Sequence, residues 1–221
     1  MARKSLLLTT IFAFLLPSAL AGDVEDRVVH SALVLREITG MKEKGIPSDL
    51  LNKCACVIVI PNMLKGGFIG AGNYGRGAMS CRLEQGEGPW SAPSMTLMGG
   101  GSFGFQIGGQ AVDLVLLVMN MRGAMSLLDS KITLGGDASV AAGPVGRTAS
   151  AETDAWMSAE ILAYSRSKGL FGGIAIKGGV IRPDNKANEI LYGKNVTARS
   201  LLLFNLRSLS RDEVRGRMRY D

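Results

Sequence analysis

Three spacings in this 221-residue sequence are of the kind that carries chemistry. Gly70-Ala71-Gly72-Asn73-Tyr74-Gly75 fits G-x-G-x-x-G behind a β-like run. A dinucleotide turn needs a helix to begin inside that motif, so that its amides face the pyrophosphate. Residues 76–81 are short, glycine-containing and strand-like, so a glycine-rich hairpin is expected instead. Ser165-Arg166-Ser167-Lys168 fits S-x-x-K, with Lys177-Gly178-Gly179 where acyl-transfer enzymes carry K-T-G. That chemistry places the serine at a helix start one turn from the lysine. Here the pair straddles a turn into Gly169 and no S-D-N element accompanies it, so a serine hydrolase using Ser165 and Lys168 is only a minor alternative. The third spacing is Cys54, Cys56 and Cys81. A strand through residues 54–60 would put Cys54 and Cys56 on one face, and either could pair with Cys81 from a neighbouring strand. No adjacent ligand completes a metal site, and His30 is the single histidine, which excludes histidine triads and multi-histidine metal centres. No cofactor is expected. The acids Asp113, Asp129, Asp137, Glu152, Asp154 and Glu160 form no paired-carboxylate pattern and read as turn and cap residues.

The elements that must position these residues follow from periodicity. Over residues 23–44, Val24, Val28, Ala32, Leu35, Ile38 and Met41 recur at spacings of three and four, which predicts an amphipathic helix. Gly45, Ile46 and Pro47 end it, and Ser48 can cap a short helix to Lys53. Short apolar runs punctuated by glycine then fill residues 54–120: CACVIVIP, KGGFIGAGNYG, RGAMSCRLE, PSMTLMGGG, SFGFQIGG and AVDLVLLVMN. They read as antiparallel strands. Residues 122–130 read as a brief helix, and KITLGGDASVAAGPVG returns to strand and turn. A strand is expected at residues 160–165, and a hairpin or bulged strand pair over 170–182. Pro183 and Asp184 start a helix to Tyr192, and Thr197 caps a last helix to about Arg207. The order gives an α+β fold, an antiparallel and barrel-like sheet with an N-terminal amphipathic helix and C-terminal helices packed on it. The 29 glycines, near twice the usual share, belong in turns and closely approached strands.

Residues 1–21 read as a secretory signal peptide: Arg3 and Lys4, an apolar run over 6–16, and Ala19-Leu20-Ala21 before Gly22. The expectation is one domain over 22–221, with its core at 23–204 and a basic tail at 205–221, exported to the periplasm or the secreted space and peripherally associated with membrane. Export, and the lack of basic residues interleaved with aromatics, argue against a nucleic-acid partner.

Four phrases then occur in fixed order: Trp90-Ser91-Ala92-Pro93-Ser94, GGQAVDLV at 108–115, DASVAAGPVGR at 137–147, and Tyr164-Ser165-Arg166-Ser167-Lys168-Gly169-Leu170-Phe171. Together they resemble the SYLF domain family, from about residue 23 to 204, and NEILYG at 188–193 is similar to the family's closing N-x-x-F-Y-G, with Leu191 in place of Phe. The resemblance implies a non-enzymatic phospholipid-binding domain, with phosphoinositides preferred in eukaryotic members and an amphipathic N-terminal helix contributing to membrane contact. Some fungal members bind actin. The signal peptide, and the lack of an SH3 or FYVE unit in this sequence, make it similar to the exported bacterial branch, for which actin binding and strict phosphoinositide preference are not expected.

On that reading the lipid-binding candidates are Arg27, Arg36, Lys42 and Lys44 on the first helix, and Lys65, Arg76, Lys168 and Lys177 in the glycine-rich hairpins. Each cation near an anionic membrane adds about 1 kcal/mol, and exposed turn amides can cradle phosphate. The other class of function is an envelope adaptor that binds a protein partner through its apolar helix or an exposed edge strand.

Overall fold

A computed structural model describes residues 16–41, 45–66, 71–83, 88–102, 110–129, 131–146, 159–167 and 170–203. The helices are α1 (Leu16–Gly40), α2 (Ser48–Lys53), α3 (Met121–Asp129), α4 (Asn185–Tyr192) and α5 (Ala198–Leu203). The strands are β1 (Cys56–Gly66), β2 (Ala71–Cys81), β3 (Ser94–Ser102), β4 (Gln110–Val118), β5 (Ile132–Thr133), β6 (Val140–Ala142), β7 (Ile161–Ser167), β8 (Leu170–Gly173) and β9 (Val180–Pro183). They form one sheet in the order β5-β9-β3-β2-β1-β4-β7-β6, with β8 also on β7, curled into an antiparallel-dominated half-barrel. Its one parallel pair among the described strands is β6 with β7.

The central strands are apolar on both faces because both faces are covered. In β1, Cys56, Ile58 and Ile60 enter a core with Ala124, Leu127 and Leu128 of α3 and Leu201 and Leu202 of α5. Val57 and Val59, one residue out of phase, enter a second core with Val34 and Ile38 of α1 and Leu50 of α2. The same alternation divides Leu114 and Leu116 from Val115 and Leu117 in β4. A smaller cluster of Val24, Ala78, Met95 and Ala187 joins the start of α1 to β2, β3 and α4.

Several sequence expectations are corrected. Helix α1 runs from Leu16 to Gly40, against the helix expected over 23–44, and residues 42–44 lie outside the described residues. Its buried ridge passes through Ser31 and Val34 and leaves Ala32 exposed, because Ser31 Oγ donates to the Val59 carbonyl at 3.4 Å. Pro47, not Ser48, occupies the cap position of α2. The predicted runs at 65–75 and 76–84 divide differently: Lys65 and Gly66 close β1, and residues 71–81 form the single long β2. Cys54 precedes the strand; Cys56 is directly opposite Cys81 across β1 and β2 and is disulfide-bonded to it, while Cys54 is free and buried. The expected hairpin at 170–182 does not form, since β8 pairs with β7 and β9 with β3 and β5. The strand expectation at 160–165 holds in β7, and Asp184 Oδ1 accepts from Ala187 N as the cap of α4. Thr197 Oγ1 accepts from Ser200 N at the start of α5, whereas its predicted extension to Arg207 and the basic tail lie outside the described residues.

Candidate functional site

The site begins with a bulge. The β1 register shifts between Ile60 and Met63 against β4, and Asn62 takes a left-handed conformation with φ of 49°. Its amide donates to Asp113 Oδ1 at 3.0 Å. Asp113 Oδ2 accepts from Arg166 Nε at 2.9 Å and Nη2 at 2.8 Å, and Arg166 Nη1 pairs with Glu37 of α1. The hydrogen bond that Arg166 donates to Glu37 raises its already high pKa further, so the guanidinium is a fixed cation that ties α1, β7, β4 and the β1 bulge together. Asp113 is thus a ladder anchor and not the turn residue expected, and neither Glu37 nor Arg166 was visible as a partner in the sequence.

Beyond the bulge, β1 and β2 project past α1 and leave a crevice of about 260 Å³, lined by Arg27, His30, Pro61, Asn62, Leu64, Tyr74, Gly75 and Arg76. Arg76 Nε donates to Tyr74 Oη at 2.6 Å, and its guanidinium carbon stands 5.8 Å from the Tyr74 ring centroid. Arg27 closes the crevice from α1. It pairs with Asp23 Oδ2 at 3.0 Å and stands 3.6 Å from Asp184 Oδ2, with 14% of its side chain exposed. Nη1 of Arg27 is buried and has no hydrogen-bond partner among the described residues.

Register places the predicted cations. Lys65 pairs with Asn73 and Gln110 at the end of β1, and Ala71 pairs with Ser102 at the end of β3. Val180, which opens β9, pairs with Gly99, and an added Cβ on Gly100 would stand 2.6 Å from the Gly178 carbonyl. Lys177, exposed just before, therefore belongs to the same end of the sheet as Lys65 and Arg76. Glycines 66, 72, 99, 100, 101, 178 and 179 concentrate there, so this is the glycine-rich end. Arg27 reaches it through the crevice, whereas Arg36 lies farther along α1 with Leu33 and Glu37 in a shallower hollow. Lys42, Lys44 and Lys168 lie outside the described residues, Lys168 directly after the end of β7. The first helix is less basic than its selected cations suggest, because Asp23, Glu25, Asp26 and Glu37 share α1 with Arg27 and Arg36.

The tempting motifs resolve into structure. Ser165 lies on β7 opposite Gly172, not at a helix start, and the described part of the G-x-G-x-x-G lies in β2. Burial pushes the Cys54 thiol up to about 12, an effect the nearby Arg82 only partly offsets, so it is an inert core thiol. The ordered phrases meet one another: Asn188 Oδ1 accepts from Met95 N at 2.6 Å, its Nδ2 donates to Ser94 Oγ at 3.1 Å, and Tyr192 Oη donates to the Pro93 carbonyl at 2.7 Å. Gly143 faces the Tyr164 ring so closely that an added Cβ would stand 2.0 Å from it, and Tyr164 in turn stacks on Phe171 at 5.5 Å. Among the described residues no group of His, Cys, Asp and Glu is arranged to hold a metal, and no helix is long and apolar enough to cross a membrane.

Fold and site define an α+β half-barrel, an antiparallel-dominated sheet with an N-terminal helix and C-terminal helices packed on it. The chain belongs to the Ysc84 family, described as Las17-binding protein actin regulators, whose model matches residues 99–215. It is 38% identical over 193 residues, 85% of this chain and 44% of the relative, to SH3 domain-containing protein PJ696.02 of Schizosaccharomyces pombe. It is 38% identical over 168 residues to LAS seventeen-binding protein 3 of Saccharomyces cerevisiae (75% of this chain, 36% of the relative). It is 30% identical over 186 residues to SH3 domain-containing YSC84-like protein 1 of Homo sapiens (81% and 54%). The chain thus spans roughly a third to a half of the length of these curated relatives.

Proposed function

We propose that this chain is a non-enzymatic peripheral protein that binds anionic phospholipid surfaces in an exported compartment, through the glycine-rich end of its sheet. The observation that carries the reading is the backbone register: the segments of Lys65, Arg76 and Lys177 run to one end of the sheet, where Arg76 lines a crevice with Arg27 and His30. Arginine and lysine nitrogens suit the oxygens of lipid phosphates, and glycine-rich backbone allows close approach. The Cys56–Cys81 disulfide supports an oxidising compartment, in line with the signal-like residues 1–21.

The test is co-sedimentation with vesicles of graded phosphatidylglycerol content. Binding that rises with anionic fraction and falls with salt is expected. No binding at any composition overturns the lipid reading. The relatives' names favour a second one, a protein partner of the Las17 or actin kind. It predicts saturable binding to that protein and indifference to vesicle charge.

A further inference from the structure

We propose that the chain meets the bilayer with α1 still docked on the sheet, inserting an apolar face formed by Leu64 and Tyr74 at the glycine-rich end together with Val29 and Leu33 of α1. This rests on the lipid reading above and specifies which surface touches the acyl-chain boundary.

An amphipathic helix ordinarily inserts its apolar stripe into the interface. In α1 that stripe is occupied: Val24, Val34 and Ile38 are buried in the protein, and Ser31 is bonded to β1. Detaching the helix would uncover Val57, Val59, Val115 and Leu117 of the sheet and break the Arg166 and Arg27 ion pairs. The apolar groups already in solvent lie elsewhere. Leu64 is 59% exposed and Tyr74 48%, and they are direct register partners. Their row runs across four strands, Ala111 to Leu64 to Tyr74 to Gly99, and open space lies above Gly99. On α1, Val29 and Leu33 are 55% and 46% exposed on its outward side, Leu33 in the hollow with Arg36 and Glu37, while His30 lines the crevice beside Leu64 and Tyr74.

The composition of this face fits a membrane interface. Tyr74 is an amphipathic aromatic whose hydroxyl is held by Arg76, so a ring at the acyl boundary would lie beside a cation at phosphate level.

The test labels Leu33→Cys, Leu64→Cys and Glu189→Cys with an environment-sensitive fluorophore and adds phosphatidylglycerol vesicles. Glu189 is exposed on α4, which packs by β3's start at the opposite end. Cys54 is buried and does not compete for label. A blue shift with at least about twofold brighter emission is expected at positions 33 and 64 and none at 189, while hydrogen exchange of α1 amides stays as slow as in solution. Leu64→Ser should lower vesicle partitioning about tenfold. If the wild type sediments with vesicles but both labels stay in water, the insertion face is wrong and the lipid reading stands. Rapid exchange in vesicle-bound α1 overturns the docked helix, and label shifts that follow protein concentration without lipid assign the face to a second copy. A wild type that binds no vesicle removes both proposals.

Discussion

Replacing Cys56 and Cys81 together by alanine tests the frame that carries the glycine-rich end. The disulfide spans 25 residues and joins directly opposed positions of β1 and β2, so it closes the loop that contains Leu64, Tyr74 and Arg76. In the chain-entropy model a loop of that length confines the unfolded chain by about 3.5 kcal/mol at 25 °C. For a chain of this size that corresponds to a fall in Tm of roughly 7–14 °C. The assay is urea unfolding of wild type, reduced wild type and the double variant, followed by far-UV circular dichroism. The midpoint should drop, and the slope with denaturant should rise because the uncrosslinked unfolded chain is more expanded. Before reduction, one thiol should react, and only in denaturant, because Cys54 is buried. A loss below about 1 kcal/mol, or three reactive thiols in oxidised protein, would refute the pairing.

Asn188→Ala removes the partner of two groups at the start of β3, Met95 N and Ser94 Oγ, and should cost roughly 2–3 kcal/mol in the same unfolding assay. Arg166→Met leaves Asp113 with only the Asn62 amide and should cost about 2 kcal/mol, with part restored by adding Asp113→Asn; additive losses would show that the two residues are not coupled. Stability should fall as pH rises from about 9 to 12. Burial holds the Cys54 thiol and the Tyr192 hydroxyl protonated up to about 12, so over that window the folded chain binds more protons than the unfolded one. Tyr192→Phe should lessen the alkaline loss in pH-dependent urea titrations.

Local chemistry made much of the fold legible. The β-branched 56–60 run, the Pro183-Asp184 helix start and the glycine excess each pointed to the structure found, because turn, cap and burial rules act within a few residues. The apolar alternation of β1 could not say that two cores share it, since that depends on α1 and α5 from opposite ends of the chain. The Glu37, Asp113 and Arg166 cluster joins residues separated by 129 and 53 positions and has no local signature. The candidate cations followed from residue type and from the expected helix and hairpins. Register then brought Lys65, Arg76 and Lys177 to one end, while ion pairs with Asp23 and Asp184 turned Arg27 from a free surface charge into a bracket between α1 and α4. The bulge that shapes the crevice was hidden because Pro61 and Asn62 sit inside an otherwise continuous strand. The disulfide partner was settled by strand onset: β1 starts at Cys56, which leaves Cys54 in the core beneath α1 and α2.

Vesicle partitioning of a Lys65→Gln, Arg76→Gln, Lys177→Gln variant against wild type, at low salt on phosphatidylglycerol-containing membranes, addresses the proposed function at its root. Three cations at about 1 kcal/mol each predict a loss of roughly two orders of magnitude in partitioning, with a weaker salt dependence and unchanged thermal stability. Equal partitioning of variant and wild type would contradict the assignment of lipid binding to the glycine-rich end.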